Sequence, residues 1–284
     1  MSQAFAFRIV NSERSIDRTL ANCGLVPFEG RLLLAHVLSK DRTWIAAHGD
    51  APLAALDAKA FGELARRRRN GEPVAYLVGR REFYGLDLSV DSDVLIPRPE
   101  TELVVELALE RIDPGSEASV LDLGTGCGAI ALAIARERPR ARIVGLDLSP
   151  AALAIARRNA GRLGLQNVEF VLSDWYQSLP NRNFSAIVAN PPYVASEDAH
   201  LSEGDLRFEP RAALTPGADG LAAIRAIVGG AGTYLEQAGW LFTEHGYDQR
   251  DAVRSLLQAA GFDEIESRRD LAGIPRVSFG RYLP

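Results

Sequence analysis

The stretch IVANPPYVAS, residues 187–196, ends an apolar run with an asparagine, two prolines and a tyrosine. Proline lacks a backbone N–H and terminates a strand, so the simplest interpretation is a rigid loop after a buried strand. A chemical interpretation is also open. The Asn190 side-chain oxygen and the unbonded carbonyl of Pro191 are two acceptors that suit the two hydrogens of one planar NH2 group. Tyr193 can lie against a flat π-system. The stretch therefore predicts a site that holds an NH2 nitrogen while it is attacked or alkylated.

A second candidate site lies in VLDLGTGCGAIALAIA, where closely spaced glycines follow an apolar strand. Glycines there let the backbone pass close to a ligand, and ligands bind at the carboxyl ends of strands in such sheets. The candidate cofactor-binding residues of this loop are Gly124, Thr125, Gly126, Cys127 and Gly128. GTGCGA also satisfies the dinucleotide pattern G-x-G-x-x-G/A, and Asp147, about 20 residues further on, can accept both ribose hydroxyls of either cofactor. On these residues NAD stays open.

Two details favour S-adenosylmethionine over NAD. Asp122 stands two residues before the first glycine. An acid there can order the loop and the cationic amino end of the methionine, whereas it would repel a pyrophosphate. Further along, a predicted strand ends in Ser173-Asp174-Trp175. An acid followed by an aromatic residue can accept from the adenine amino group and cover its ring. The alternative for Trp175 is a half-buried surface aromatic.

Three regions must position these residues. Residues 1–75 predict a small helical bundle, whose task is contact with a partner or support of the next domain. Residues 76–99 predict a linker with a β-hairpin around Gly85. In residues 100–284, seven strands alternate with helices, which predicts an α/β fold with a mostly parallel sheet. The last two strands are joined only by LAGIP, which is too short for a parallel crossover, so the final strand is expected to be antiparallel.

Composition narrows the class of protein. The chain has 284 residues and is 47% hydrophobic. Its net charge is −5, and this acidic balance argues against binding duplex nucleic acid as its main task. We expect no membrane span, no secretory signal in MSQAFAFRIVNSERSID and no metal site. Two cysteines favour a reducing cytoplasm. The basic run at residues 66–69 is predicted to be the solvated end of a helix near Gly71, although it could touch an acidic partner.

The motifs together resemble a known family over essentially the whole chain. Asn-Pro-Pro-Tyr is shared by class I methyltransferases that act on adenine, guanine or glutamine nitrogens. The combination resembles the HemK-type protein-(glutamine-N5) methyltransferases, which modify the glutamine of the GGQ motif in class I peptide-chain release factors. The segments that carry the resemblance are REFYG, LIPRPETE, LDLGTGCGAIALAIA, SDW, NPPY and FEPRAAL. Cys127 departs from the usual threonine or serine, and we discount this because its backbone should make the contact.

The resemblance implies a class I (Rossmann-like) fold and assigns roles to the candidate residues. It implies that residues 1–75 recognise a release factor, and that a monomer binds S-adenosylmethionine through the glycine loop, Asp147, Trp175 and Asn190. The substrate glutamine would meet Asn190, Pro191, Pro192 and Tyr193, of which Asn190, Pro191 and Tyr193 are catalytic. The alternative is an adenine or guanine amino-methyltransferase acting on DNA or ribosomal RNA.

An amide nitrogen is a poor nucleophile because its lone pair is delocalised. We therefore expect positional and electrostatic catalysis without an obligatory general base. His200 and His245 follow strands and are candidate bases, but a surface or supporting position is the preferred interpretation of both.

Overall fold

The computed structural model describes residues 15–179 and 183–283, and the chain divides into two compact units after Gly79. The predicted helical domain therefore extends to residue 79 in the structure, and its residues 1–14 lie outside the described residues. Within residues 15–79 the regular elements are helices: α1 (Ile16–Ala21), α2 (Pro27–Leu38), α3 (Arg42–Ala47), α4 (Ala55–Arg69) and α5 (Val74–Val78).

Local capping and a small apolar core explain why this first unit folds. The Ser15 hydroxyl accepts from the Arg18 N–H at the start of α1, and the Asp41 carboxylate accepts from the Trp44 N–H at the start of α3. Such caps satisfy N–H groups that the helix itself leaves unpaired. Leu33, Leu34 and Phe61 belong to the buried core of the unit.

The arginine run occupies the last turn of α4, as predicted, and Gly71 follows with φ 95°. Most of its charge is matched inside the unit. Ion pairs join Arg66 to Glu63, Arg67 to Glu72 and Arg68 to Glu29, while Arg69 Nη1 donates to the Cys23 carbonyl at 2.6 Å. The Arg68–Glu29 pair joins α4 to α2, so the run helps to hold the helices together.

The second unit opens with the expected hairpin, β1 (Arg80–Phe83) paired antiparallel with β2 (Leu86–Ser89). Tyr84 and Gly85 form its two-residue turn with φ of 50° and 70°. Positive φ at both positions matches the twist of paired strands, and glycine adopts it without steric cost. The Tyr84 N–H donates to Glu102 Oε1 at 2.8 Å, which ties the turn to the first helix of this unit.

The remainder of the second unit is a seven-stranded sheet with flanking helices. Its strands are β3 (Ser119–Leu123), β4 (Arg142–Asp147), β5 (Val168–Leu172), β6 (Phe184–Ala189), β7 (Leu235–Glu244), β8 (Phe262–Arg269) and β9 (Pro275–Tyr282). Its helices are α6 (Glu102–Arg111), α7 (Ala129–Glu137), α8 (Pro150–Leu163), α9 (Arg211–Leu214), α10 (Ala222–Tyr234) and α11 (Arg250–Ala259). Short 3-10 turns occur at Pro99–Thr101, Ala199–Ser202 and Leu206–Phe208.

The strand order is β5-β4-β3-β6-β7-β9-β8, and β9 runs antiparallel to the other six strands. The mostly parallel α/β class and the antiparallel last strand are thus confirmed. The chain builds outward from β3 to β5, then returns to place β6 on the other side of β3. Ligands bind at such a switch point in open α/β sheets.

One element boundary was predicted wrongly. The sequence pattern predicts a helix over roughly residues 220–237, whereas α10 ends at Tyr234 and β7 begins at Leu235. Leu235 is buried and pairs with Phe184 of β6. Pairing with a neighbouring strand overrides the weak local helical preference. Within the described residues, no helix is long and apolar enough to cross a membrane.

Candidate active site

The glycine loop and the tetrapeptide meet at the switch point of the sheet. β3 and β6 pair in parallel, with Leu123 opposite Ala189. Gly124 and Asn190 therefore follow neighbouring strand ends at the same edge of the sheet. Asp147 ends β4 on the other side of β3 and lies opposite Leu172 of β5. The structure thus brings together three groups of residues that are far apart in the sequence.

The loop after β3 adopts a conformation that requires glycine. Gly124, Gly126 and Gly128 have φ of 72°, 58° and 87°. A Cβ built on Gly128 would lie 2.9 Å from Leu132 Cδ1, so a side chain there would crowd Leu132 of α7. The loop is also held by a bond from the Thr125 N–H to the Leu146 carbonyl at 2.8 Å. The result is a cradle of backbone at the carboxyl end of β3.

The Asp147 carboxylate lies half-buried beside this cradle. Oδ2 accepts from the Gly126 N–H at 2.8 Å, and Oδ1 accepts from the Ser149 N–H at 2.9 Å. Burial raises the pKa of Asp147, and the backbone bonds from Ser149 and Gly126 oppose that shift. Each carboxylate oxygen keeps a second lone pair, so Asp147 can still accept from a vicinal diol.

Asp122 carries an unsatisfied atom under the loop. Its Oδ2 accepts from Thr125 Oγ1 at 2.6 Å and from the Ala131 N–H at 3.2 Å. Its Oδ1 is the one buried side-chain polar atom in residues 15–179 and 183–283 without a partner. Burial raises the pKa of Asp122 to about 7. A buried orphan acceptor needs a donor, and a cationic amino group would supply it.

Trp175 borders the same cradle. A Cβ built on Gly124 would lie 3.8 Å from Trp175 Cζ3, so the indole stands beside the first glycine. Trp175 has the unusual φ of 46°, and the Ser173 hydroxyl holds this turn by donating to the Trp175 carbonyl at 2.7 Å. Asp174 is exposed and accepts from Gln177 Nε2 at 3.0 Å. The ring is therefore placed where a planar heterocycle lying along the loop would meet it.

In the tetrapeptide, Asn190 Nδ2 donates to Thr101 Oγ1 at 3.0 Å. No described residue donates to Asn190 Oδ1 or to the Pro191 carbonyl. These are the two free acceptors that the sequence predicts. Pro191 is buried, whereas Pro192 is half-buried beside it. The Tyr193 hydroxyl donates to Glu244 Oε1 at 3.0 Å, and its carbonyl accepts from Gln249 Nε2 at 2.9 Å.

Two residues of this site were missed by sequence reasoning. Thr101 and Glu244 are both buried, and Thr101 Oγ1 donates to Glu244 Oε2 at 2.7 Å. Thr101 lies within the segment LIPRPETE, and Glu244 is the last residue of β7, so each occupies a motif or a strand end. These two features of the sequence could have identified Thr101 and Glu244 as candidate site residues. Nothing in the local sequence shows that the two side chains meet.

Other contacts join the recognised motifs. Arg98 of LIPRPETE pairs with Glu209 of FEPRAAL at 2.7 Å, and the Glu209 side chain is fully buried. Asn159 of α8 is also buried. Its Nδ2 donates to the Cys127 carbonyl at 3.0 Å, and its Oδ1 accepts from the Ser89 N–H at 2.8 Å. The hairpin exit and the glycine loop are thereby held by one side chain.

The remaining candidates are less reactive. Cys127 is buried, which raises the pKa of its thiol to about 12. His200 is exposed and bonds to Asp198. His245 is buried, with Nδ1 2.8 Å from the Gly246 carbonyl and Nε2 2.9 Å from Ser278 Oγ. Both His245 nitrogens are therefore engaged away from the tetrapeptide. The described residues contain no group of three or more His, Cys, Asp or Glu that could hold a metal.

The donor set fits S-adenosylmethionine. Asp147 suits ribose hydroxyls, Trp175 suits adenine, and the orphan oxygen of Asp122 suits an ammonium group. A pyrophosphate would instead be repelled by the carboxylates of Asp122 and Asp147 at this edge of the sheet. The sheet with its antiparallel last strand, the glycine cradle with Asp147, and the addition of Asp122 and Trp175 together define a class I methyltransferase.

Similarity to known proteins supports the assignment to the class I methyltransferases. Residues 15–79 match the PrmC N-terminal domain, and residues 101–209 match the methyltransferase small domain. A release factor glutamine methyltransferase from Bordetella pertussis is 52% identical over 265 residues, which cover 93% of this chain and 97% of that protein. One from Burkholderia pseudomallei is 54% identical, covering 89% and 91%. The chain belongs to the release factor glutamine methyltransferase family. A methyltransferase structure from Pyrococcus furiosus, 16% identical with TM-score 0.54 over 77% of this chain and 98% of its own, shares the fold.

Proposed function

We propose that this enzyme transfers a methyl group from S-adenosylmethionine to the side-chain amide nitrogen of the glutamine in the GGQ motif of class I release factors. The observation that carries the proposal is the pair of free acceptors, Asn190 Oδ1 and the Pro191 carbonyl, beside the glycine cradle. Membership of the family supports the choice of a release factor as the substrate.

S-adenosylmethionine supplies an electrophilic methyl group on a sulfonium sulfur. The glycine loop at residues 124–128 passes close to the cofactor, Asp147 accepts from its ribose and Trp175 covers its adenine. Asp122 accepts from its amino group. Asn190 borders both the cofactor and the substrate, because β6 lies directly beside β3.

The chain acts on the glutamine by position and by hydrogen bonding. Asn190 Oδ1 and the Pro191 carbonyl accept the two amide hydrogens, while Pro192 and Tyr193 line the planar group. As the nitrogen forms its new bond, these acceptors stabilise the positive charge that develops on its hydrogens. One of the two hydrogens then leaves as a proton to solvent water, and S-adenosylhomocysteine is the other product. Holding the nitrogen in line is worth up to about 7–11 kcal/mol of the barrier. Tyr193 is not a ready base, because burial and the Glu244 carboxylate raise its pKa.

We assign recognition of the release factor to the helical N-terminal domain. Its match to the PrmC N-terminal domain supports this. Four arginines of α4 are largely paired inside the unit, so shape and apolar contact are expected to matter more than the run of charge. We place the enzyme in the cytoplasm as a monomer, where its buried thiols Cys23 and Cys127 stay reduced.

The decisive experiment supplies labelled S-adenosylmethionine to the purified enzyme with release factor, duplex DNA or ribosomal RNA in parallel reactions. Mass spectrometry then locates the label. We expect it on the GGQ glutamine, and a release factor with that glutamine replaced by alanine is expected to stay unlabelled. Label on adenine or guanine with an unmodified release factor would show that the enzyme methylates a nucleic acid instead.

Asp147→Ala is expected to weaken S-adenosylhomocysteine binding by about 5- to 150-fold, since charge-assisted hydrogen bonds contribute on the order of 1–3 kcal/mol. Titration calorimetry measures the change. Asp113→Ala is the matched control, because Asp113 is exposed in the turn before β3 at the opposite end of the strand. NAD is expected not to bind. Tight NAD binding without a response to S-adenosylhomocysteine would exclude the methyltransferase assignment.

A further inference from the structure

A chain of hydrogen bonds, buried at Thr101 and Glu244, runs behind Asn190. Asn190 Nδ2 donates to Thr101 Oγ1 at 3.0 Å, and Thr101 Oγ1 donates to Glu244 Oε2 at 2.7 Å. The other oxygen of Glu244 accepts from the Tyr193 hydroxyl at 3.0 Å. These hydrogen bonds join the 3-10 turn before α6, the last residue of β7 and both ends of the tetrapeptide through side chains alone.

This chain of hydrogen bonds has a fixed direction, which is set by the groups that can donate and those that can only accept. A carboxylate accepts hydrogen bonds and donates none. The single hydroxyl proton of Thr101 is therefore committed to Glu244, and Thr101 can offer Asn190 only a lone pair. The Asn190 amide must then turn its NH2 toward Thr101. Because the two ends of an amide are opposed, its oxygen faces the other way, as the structure shows.

We infer that Thr101 and Glu244 are positioning residues, which together determine that the Asn190 amide presents its oxygen rather than its NH2 to the substrate. This inference rests on the proposed function. An asparagine turned the other way would direct two N–H donors at the N–H donors of the glutamine. Substrate binding in the reactive orientation would then be lost, although the fold and the cofactor site would be unchanged.

The surroundings of Glu244 keep the hydrogen bonds in this direction at neutral to alkaline pH. Burial raises the pKa of Glu244 to about 7, while its bonds from Thr101 and Tyr193 and the charge of Arg276 oppose the shift and Glu100 adds to it. Above pH 7 the carboxylate accepts from both hydroxyls. As the pH falls through about 7 the group takes up a proton and becomes a donor, so one hydroxyl loses its acceptor and the direction is no longer enforced.

Thr101→Val removes the hydroxyl while keeping the shape of the side chain. With whole release factor as substrate and saturating cofactor, we expect kcat to fall roughly 10- to 100-fold, and the Kd for S-adenosylhomocysteine to change by less than about 2-fold. Thr101→Ser keeps the hydroxyl and is expected to recover most of the loss. Thr243→Val is the matched control, because it removes a buried hydroxyl that bonds only to the Glu244 carbonyl.

The pH profile separates positioning from packing. The parent kcat is expected to rise with pH through about 7, as Glu244 loses its proton. The Glu244→Gln enzyme should have a lower kcat, and the part of the pH dependence that is due to Glu244 should be absent. A Thr101→Val enzyme within about 2-fold of the parent kcat would overturn the inference. So would a Thr101→Ser enzyme as slow as Thr101→Val, because packing rather than the hydroxyl would then be responsible.

A readout without turnover keeps this inference separable from the proposed function. The side-chain amide signal of Asn190, assigned by its loss in Asn190→Ala, should exchange with solvent at least about 10-fold faster in Thr101→Val than in the parent. Unchanged exchange would contradict the inference even if the enzyme proves to have another substrate. A parent enzyme that leaves the GGQ glutamine unlabelled, but shows this change in exchange, would contradict the proposed function alone.

Discussion

Asn190→Ala is expected to lower kcat for release factor methylation by about 100- to 1,000-fold, comparable to the loss of one group that stabilises charge in a transition state. The variant removes Oδ1, one of two acceptors available to the reacting NH2, and leaves the Pro191 carbonyl in place. Asn190 is only one of the residues assigned to the cofactor, and the glycine loop, Asp147 and Trp175 remain in the variant. The Kd for S-adenosylhomocysteine should therefore rise far less than kcat falls, by less than about 10-fold.

Single-turnover methylation and titration calorimetry measure the two quantities separately. Ser196→Ala is the matched control, because Ser196 follows the tetrapeptide in the same loop and is held there through its backbone N–H and carbonyl. If Asn190→Ala matched the parent in turnover, the proline-rich stretch would be only a rigid exit from β6.

A short peptide that contains GGQ is expected to have a kcat/KM at least about 100-fold below that of a whole release factor. The predicted groups that meet the glutamine all lie in the tetrapeptide, so the peptide can use them. It lacks the second contact that we assign to the helical N-terminal domain, and a second contact raises the effective concentration of the first.

Most of this difference should be in KM, because the chemistry at the amide is the same for both substrates. Deleting residues 1–75 should then impair methylation of the whole factor more than cofactor binding, and should bring the two substrates closer in kcat/KM. Circular dichroism and S-adenosylhomocysteine binding serve as controls that the shortened chain is folded. Equal kcat/KM for peptide and factor with the full chain would contradict a second contact.

The sequence by itself determined the features that depend on near neighbours. Ser149 accepts at the start of α8 and Pro150 opens that helix, as their types predict. The hairpin turn falls at Gly85 because glycine tolerates a positive φ there. The short link between β8 and β9 leaves no room for a crossover, so the final strand had to be antiparallel.

The candidate site was readable from the sequence where its residues end strands. Glycines after β3, an acid after β4 and the tetrapeptide after β6 must share one edge of a parallel sheet, because parallel strands end on the same side. The periodic pattern was less reliable at Leu235, where a helix-compatible stretch forms the start of β7. There the pairing with β6 decided the outcome.

The tertiary structure alone decided which side chains support the site. Thr101 and Glu244 are 143 residues apart, and Arg98 and Glu209 are 111 residues apart. A hydrogen bond between buried side chains depends on strand order and packing, neither of which leaves a periodic mark in the sequence. The free oxygen of Asn190 could be predicted from its type and its prolines. The direction in which that oxygen points required Thr101 and Glu244, because an amide alone has no preference between its two ends.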